Sequence, residues 1–256
     1  MLAILSPAKT MKFDEGRNHP AASSPKFLSE SRKLAKVLKK YSKPELMELM
    51  SISEKLADLN TERFKNFSGD GKAEDQAPAL FAFRGDVYVG LDALSLDENA
   101  QKRADEHLRI LSGMYGILRP FDLIEPYRLE MGTNLKTDSG DNLYEFWDDK
   151  ITETLKNDLK KHKSDAILNL ASNEYVKVID QKAFEGKWID VDFREIRKGK
   201  LRFVSFNAKK ARGMMARFVL ENNIRDRAGL TKFDGMGYLF DKDGSEENKL
   251  LFVKPE

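Results

Sequence analysis

The feature that most constrains this chain is a set of apolar runs, each too short for a helix, spread along its whole length. Leu2-Ala3-Ile4-Leu5, Ala166 to Ala171, Trp188 to Phe193 and Leu250 to Val253 all read as strands, the first two as buried ones. Leu201 to Phe206 reads as another, and Ala79 to Phe83 with Val87 to Val89 read as extended segments joined tightly at Arg84-Gly85-Asp86. Between them apolar residues recur at helical spacing. Ser24-Pro25 supplies an N-cap and an N1 proline for a helix reaching Tyr41, and Ser42-x-x-Glu45 and Ser51-x-x-Glu54 fit capping boxes. Ser95-x-x-Glu98 opens a helix expected to run to about Leu111, and further helices are expected over 142–162 and 208–222. Strands and helices interleave without the even spacing of repeated βαβ units, and no internal repeat or long linker divides them. The expected fold is therefore a single α/β (mixed α+β) domain over residues 1–256, a mixed sheet with surrounding helices.

Composition removes several kinds of chemistry. There is no cysteine, which excludes disulfides, thiolate zinc sites, Cys-ligated iron–sulfur clusters and a Cys nucleophile. No stretch approaches the roughly 20 apolar residues of a membrane helix, and Met1 to Leu5 lacks the basic flank of a signal peptide. A cytoplasmic protein without membrane partners is expected. The chain balances 44 Lys and Arg against 42 Asp and Glu, but unevenly: Ser24 to Lys43 has seven basic residues and one acid, and Arg197 to Arg217 has eight and none. Such segregation permits an anion-binding face on a nearly neutral molecule.

Two segments carry the strongest chemical signals. Leu111-Ser112-Gly113-Met114-Tyr115-Gly116-Ile117-Leu118-Arg119-Pro120 is a glycine-bracketed turn after an amphipathic helix. It resembles a helix-hairpin-helix element, in which glycines let backbone N–H groups reach a phosphate. Its glycines are three apart where two is usual, and a helix C-cap followed by a turn is the plainer alternative. Asn207-Ala208-Lys209-Lys210-Ala211-Arg212-Gly213 places three cations where a helix is expected to begin, with Asn207 as N-cap. Cations there oppose the helix dipole unless an anion or a carboxylate sits nearby. Lys9, at the end of the first strand, is placed to join such a site. His19, His107 and His162 stand in no metal-binding spacing, and no cofactor motif occurs, so neither a metal nor a cofactor is expected.

Taken together, Ser6-Pro7-Ala8-Lys9-Thr10, Phe83 to Tyr88, Leu111 to Pro120, Pro126 to Gly132, Leu143 to Trp147, Asn169 to Ser172 and Ala208 to Gly213 resemble the bacterial YaaA family of peroxide-stress resistance proteins. The resemblance covers essentially the whole chain. It implies resistance to hydrogen peroxide through limitation of unincorporated iron and of the oxidative damage iron causes. It also implies DNA binding by an unusual single-domain fold with a helix-hairpin-helix-like element and a positive cleft. On this chain the element would span about 95–122, with Gly113, Tyr115 and Gly116 at its tip and Arg119 beside them. The cleft would draw on Lys9, Arg128, Lys209, Lys210 and Arg212. No catalytic mechanism comes with the resemblance.

DNA binding mainly through phosphate, with Tyr115 or Tyr127 stacking on an exposed base, is the leading expectation. The alternatives are two. One is an enzyme acting on DNA or another phosphorylated substrate, with Lys9 or Lys210 as nucleophile or electrophile and Glu130, Glu145 or Glu174 as acid and base. The other is iron sequestration by carboxylates.

Overall fold

The computed structural model describes residues 1–16, 19–70, 75–161, 166–184 and 187–256. Its centre is an eight-stranded mixed sheet. In chain order the strands are β1 (Leu2–Leu5), β2 (Leu108–Ser112), β3 (Gly116–Leu118), β4 (Ile167–Asn169), β5 (Trp188–Arg197), β6 (Lys200–Arg202), β7 (Leu239–Glu246) and β8 (Lys249–Lys254). Across the sheet they lie β7-β8-β5-β4-β1-β2-β3, with β6 hairpinned onto β5. The five strands β1, β2, β4, β5 and β8 are parallel, and β3, β6 and β7 are antiparallel additions. Numbered along the chain, the parallel strands run 2-1-3-4-5, a doubly wound order whose direction of winding reverses between β1 and β4. All residues of β1, β2 and β4 are buried, as a parallel sheet covered on both faces requires.

The helices used below are α1 (Leu28–Leu38), α2 (Lys43–Met50), α3 (Glu54–Asn66), α4 (Asp86–Leu91), α5 (Glu98–His107), α6 (Leu143–Trp147), α7 (Lys150–Leu159), α8 (Asn173–Val176) and α9 (Ser205–Glu221). The buried apolar residues form one contiguous core. The Ser42 box is present, with the Glu45 carboxylate accepting from the Ser42 N–H at 2.7 Å. Ser51 instead closes α2 in a left-handed conformation, and Ser53 stands before α3.

Several expected elements are revised. Helix α5 stops at His107, and Leu108–Ser112 is an interior strand: its apolar residues satisfy both periodicities, and pairing with β1 decides between them. The expected helix over 142–162 is two helices, α6 and α7, broken at Asp148, whose φ is +45°. The expected extended segments 79–83 and 87–89 are helical over Ala79–Ala82 and in α4. Helix α1 begins at Leu28, not Ser24. The strand expected over 201–206 ends at Arg202, and α9 starts at Ser205, so Asn207 is no N-cap; its amide donates to Glu195 at 2.6 Å.

Candidate anion-binding crevice

The winding reverses between β1 and β4, and there the loops leaving their carboxyl ends part to form a crevice. Ser6 follows β1 and Ser172 follows β4; the Ser172 N–H donates to Ser6 Oγ at 2.8 Å, so the two loops are tied together at its floor. The crevice, of about 310 Å³, is lined by Ser6 to Thr10, Arg84 to Tyr88, Tyr127 to Glu130, Leu170, Ser172, Glu174, Tyr175, Lys209 and Arg212. Five segments distant in sequence thus converge where an open α/β sheet places its ligands. Gly85 has φ +146°, a backbone conformation that residues with a side chain rarely adopt, so glycine suits the turn from Arg84 into α4 beside the Lys9 loop.

The cations fall into two groups. Lys9 is at the rim, 61% exposed, with Nζ 2.7 Å from the Glu130 carboxylate. Arg128, only 16% exposed, bonds the other Glu130 oxygen at 3.2 Å through Nη2. Glu130 therefore holds one cation at the rim and one within. The Nε atoms of Arg128 and Arg212 are buried and have no acceptor among the described residues. Burial draws the Arg212 guanidinium down from its ordinary value, opposed by Asp192 and then Asp190 nearby. It stays charged in any case. A buried cationic N–H without an acceptor is costly, and both residues that carry one contribute to the wall of this crevice.

The inner wall is phenolic. Tyr88 donates to the Ser6 carbonyl at 3.0 Å, and Tyr127 shares a 2.7 Å hydrogen bond with Ser112 Oγ. Burial pushes Tyr88, Tyr127 and Tyr175 all upward, so the wall carries hydroxyls rather than phenolate charge. Glu174 is fixed at the opposite side, its carboxylate accepting from the Gly132 N–H at 3.0 Å.

Of the residues expected to bind DNA, Lys9, Arg128, Lys209 and Arg212 meet here. Lys209 and Arg212 also face a second, adjoining chamber of about 730 Å³. Lys210 lines neither; its carbonyl is pressed against Gly90 of α4. The three cations stand past the first turn of α9, so the dipole argument for them does not hold. The expected hairpin lies elsewhere and is different in kind. Residues 108–118 are two paired strands of the sheet, β2 and β3. Gly113 and Gly116 do allow close approach, but to protein: a Cβ would meet the Leu129 carbonyl oxygen at 2.3 Å and the Trp147 ring at 2.8 Å respectively. The Gly113 carbonyl accepts from Trp147 Nε1 at 3.0 Å, and Tyr115 is buried with its hydroxyl accepting from the Glu125 N–H. This tip has no face left for a phosphate. Arg119 is paired with Asp105 outside the crevice. Neither Tyr115 nor Tyr127, at 1% and 3% exposure, can stack on an external base.

Of the acid/base candidates, Glu130 and Glu174 are in the crevice, while Glu145 is in the first turn of α6, its N–H donating to the N-cap Asn142 and its carboxylate accepting from the Asn142 amide. His19 bonds Gln101 and stacks on Phe121, and His162 lies outside the described residues. Among the described residues no three His, Asp or Glu side chains are placed to hold a metal ion. Sequence reading missed Ser6, Asp86 and Tyr88; the only signal was their position in short motifs at strand ends.

Fold and crevice define a doubly wound α/β protein with a crevice lined by Lys9, Arg128, Lys209 and Arg212 at its switch point. The family model described as peroxide stress protein YaaA matches residues 1–244, and the chain belongs to that family. It is 44% identical to a UPF0246 protein of Alteromonas mediterranea, over 99% of this chain and 98% of the relative. A UPF0246 protein of Maricaulis maris is 47% identical over 100% of this chain and 97% of its own length. One from Crocosphaera subtropica is 44% identical over 99% and 100%. No helix among the described residues is long and apolar enough to cross a membrane.

Proposed function

We propose that the protein serves in peroxide stress by binding DNA through phosphate contacts in the crevice, and so helps to limit iron-dependent oxidative damage to it. One observation carries the reading: Arg128 and Arg212, from separate segments, bring two guanidinium groups to the wall of one crevice, each with a buried Nε–H that has no acceptor among the described residues. A phosphate in the crevice is an anion that two converging guanidinium groups can pair with. The crevice is at the lower end of ligand-site volumes and cannot admit a duplex, so the DNA it accepts offers a nucleotide at an unpaired, distorted or terminal position. Peroxide damage and its repair generate such positions.

The enzyme reading is less well supported. Lys9 is solvated and ion-paired, not desolvated as a nucleophilic lysine is, and Lys210 is outside the crevice. Anisotropy titrations with duplex, single-stranded and bubble-containing DNA test the proposal. The expected order is bubble and single strand ahead of intact duplex, with the DNA recovered unchanged. Equal or tighter binding to intact duplex overturns the crevice reading, and strand cleavage or base loss transfers support to the enzyme.

A further inference from the structure

The second chamber opens from the crevice across a shared wall of Ser172, Glu174, Lys209 and Arg212. Its chemistry is of a different kind. Asp190 and Asp192 alternate with buried residues on β5, so both carboxylates are on the face of that strand that borders the chamber. One oxygen of Asp190 accepts from Asn169 Nδ2 at 2.7 Å and from Trp188 Nε1 at 2.9 Å. One oxygen of Asp192 accepts from Arg194 Nε at 2.8 Å. Each carboxylate is thus oriented by one oxygen, leaving the other to accept. At the same chamber Phe203 is 48% exposed, with the Arg194 guanidinium 5.3 Å from its ring centre. A half-exposed ring backed by a cation is a stacking platform for a planar base.

We propose that the two chambers together take one nucleotide whose base carries an exocyclic amino group. The phosphate lies on Arg128 and Arg212, and the base edge lies on Asp190 and Asp192, stacked on Phe203. Carboxylates accept from the amino groups of cytosine, adenine and guanine. Thymine presents a lone N–H between two carbonyls, which repel the same carboxylates. Arg212 borders both chambers and fixes the join between phosphate and nucleoside. This inference rests on the phosphate reading of the crevice and adds a preference that phosphate contacts alone do not give.

The test is calorimetric competition at low salt among dGMP, dCMP, dAMP, TMP and deoxyribose 5-phosphate, repeated with bubble DNA in which the unpaired bases are all C or all T. The amino-bearing nucleotides are expected to bind about tenfold more tightly than TMP, the discrimination of one well-made base contact. Asp192→Asn is expected to bring that ratio toward one, with its fold checked by circular dichroism. If all five compounds bind equally, the base chamber is unused and this inference fails while phosphate binding stands. If neither the nucleotides nor the bubble DNA bind, the phosphate reading fails with it. If the bubbles bind with no preference for C over T and no mononucleotide binds, the single-nucleotide site is refuted although DNA binding survives. The comparison among ligands on the unaltered protein decides the matter even if the variant misfolds.

Discussion

Arg128 and Arg212 are distinguished by what surrounds them, and that makes their charge separable from their geometry. Arg128→Lys keeps a cation but removes the planar fork of donors that a guanidinium presents to a phosphate. It is expected to weaken single-stranded DNA binding nearly as much as Arg128→Ala, by about 1.5–3 kcal/mol, the range of a charged hydrogen bond. An anisotropy titration showing Lys at full affinity would mean that only charge matters. Asp122 offers a test of stability. It is 2% exposed, accepts from Ser23 Oγ at 2.7 Å and the Arg119 N–H at 2.8 Å, and burial raises its carboxyl from 3.8 to about 6. The folded state therefore favours the protonated form: the contribution of this group is fully present below pH 3.8 and is lost as pH rises through about 6, by on the order of 3 kcal/mol. Asp122→Asn removes the titrating group while its amide can serve both partners, so the variant should gain on the wild type as pH rises from 4 to 7. Urea midpoints that stay parallel across that range would refute this. At this scale the sequence was informative where a charged residue followed a strand, as Lys9 does. It was silent on burial, which turned Tyr115 and Gly113 from ligands into core.

Among the elements, the crossing of α4 and α9 does most to shape the crevice, because α4 brings Asp86 to Tyr88 and α9 brings Lys209 and Arg212. The helices meet backbone to backbone. A Cβ at Gly213 would lie 1.8 Å from the Val87 carbonyl oxygen, and one at Gly90 would lie 2.1 Å from that of Lys210. Gly213 thus belongs to its motif for packing, although nothing in the local sequence distinguishes it from a turn glycine. Gly213→Ala forces the helices apart, and is expected to cost about 1–3 kcal/mol and to weaken DNA binding with it. A thermal melt unchanged from wild type would show that the crossing absorbs a methyl group. Two of the elements misread from sequence failed because periodicity alone does not end a helix. Apolar spacing in 96–111 and 143–159 fits a continuous helix, whereas the strand partner of Leu108–Ser112 and the left-handed turn at Asp148 depend on residues more than a hundred positions away or on a single dihedral angle.

For the whole molecule, the irregular interleaving of strands was enough to indicate a mixed α/β fold, and the winding order was not legible because it depends on which strands pair. That order gathers the cations. Lys9 leaves β1, Ser172 and Glu174 follow β4, and α9 comes after the β5–β6 hairpin, so residues spread over two hundred positions reach the carboxyl end of the sheet's interior strands. The basic run of 24–43 is instead spent on α1 and the residues just after it, where Arg32, Lys33, Lys36, Lys39 and Lys40 are exposed and none lines the crevice. The two basic regions predict different salt dependence. With Lys9 and Arg128 already paired to Glu130, a crevice complex displaces few counterions, and the slope of log K against log salt should be about −2 to −4. Recruitment of the α1 face would add about five phosphate contacts and steepen the slope to about −6 or beyond. Charge reversal at Lys33 and Lys36 should therefore leave both affinity for a bubble substrate and its slope close to wild type, while Arg212→Ala should lower the affinity and flatten the slope by about one. A steep slope abolished by the α1 reversal would move the DNA-binding face from the crevice to that helix.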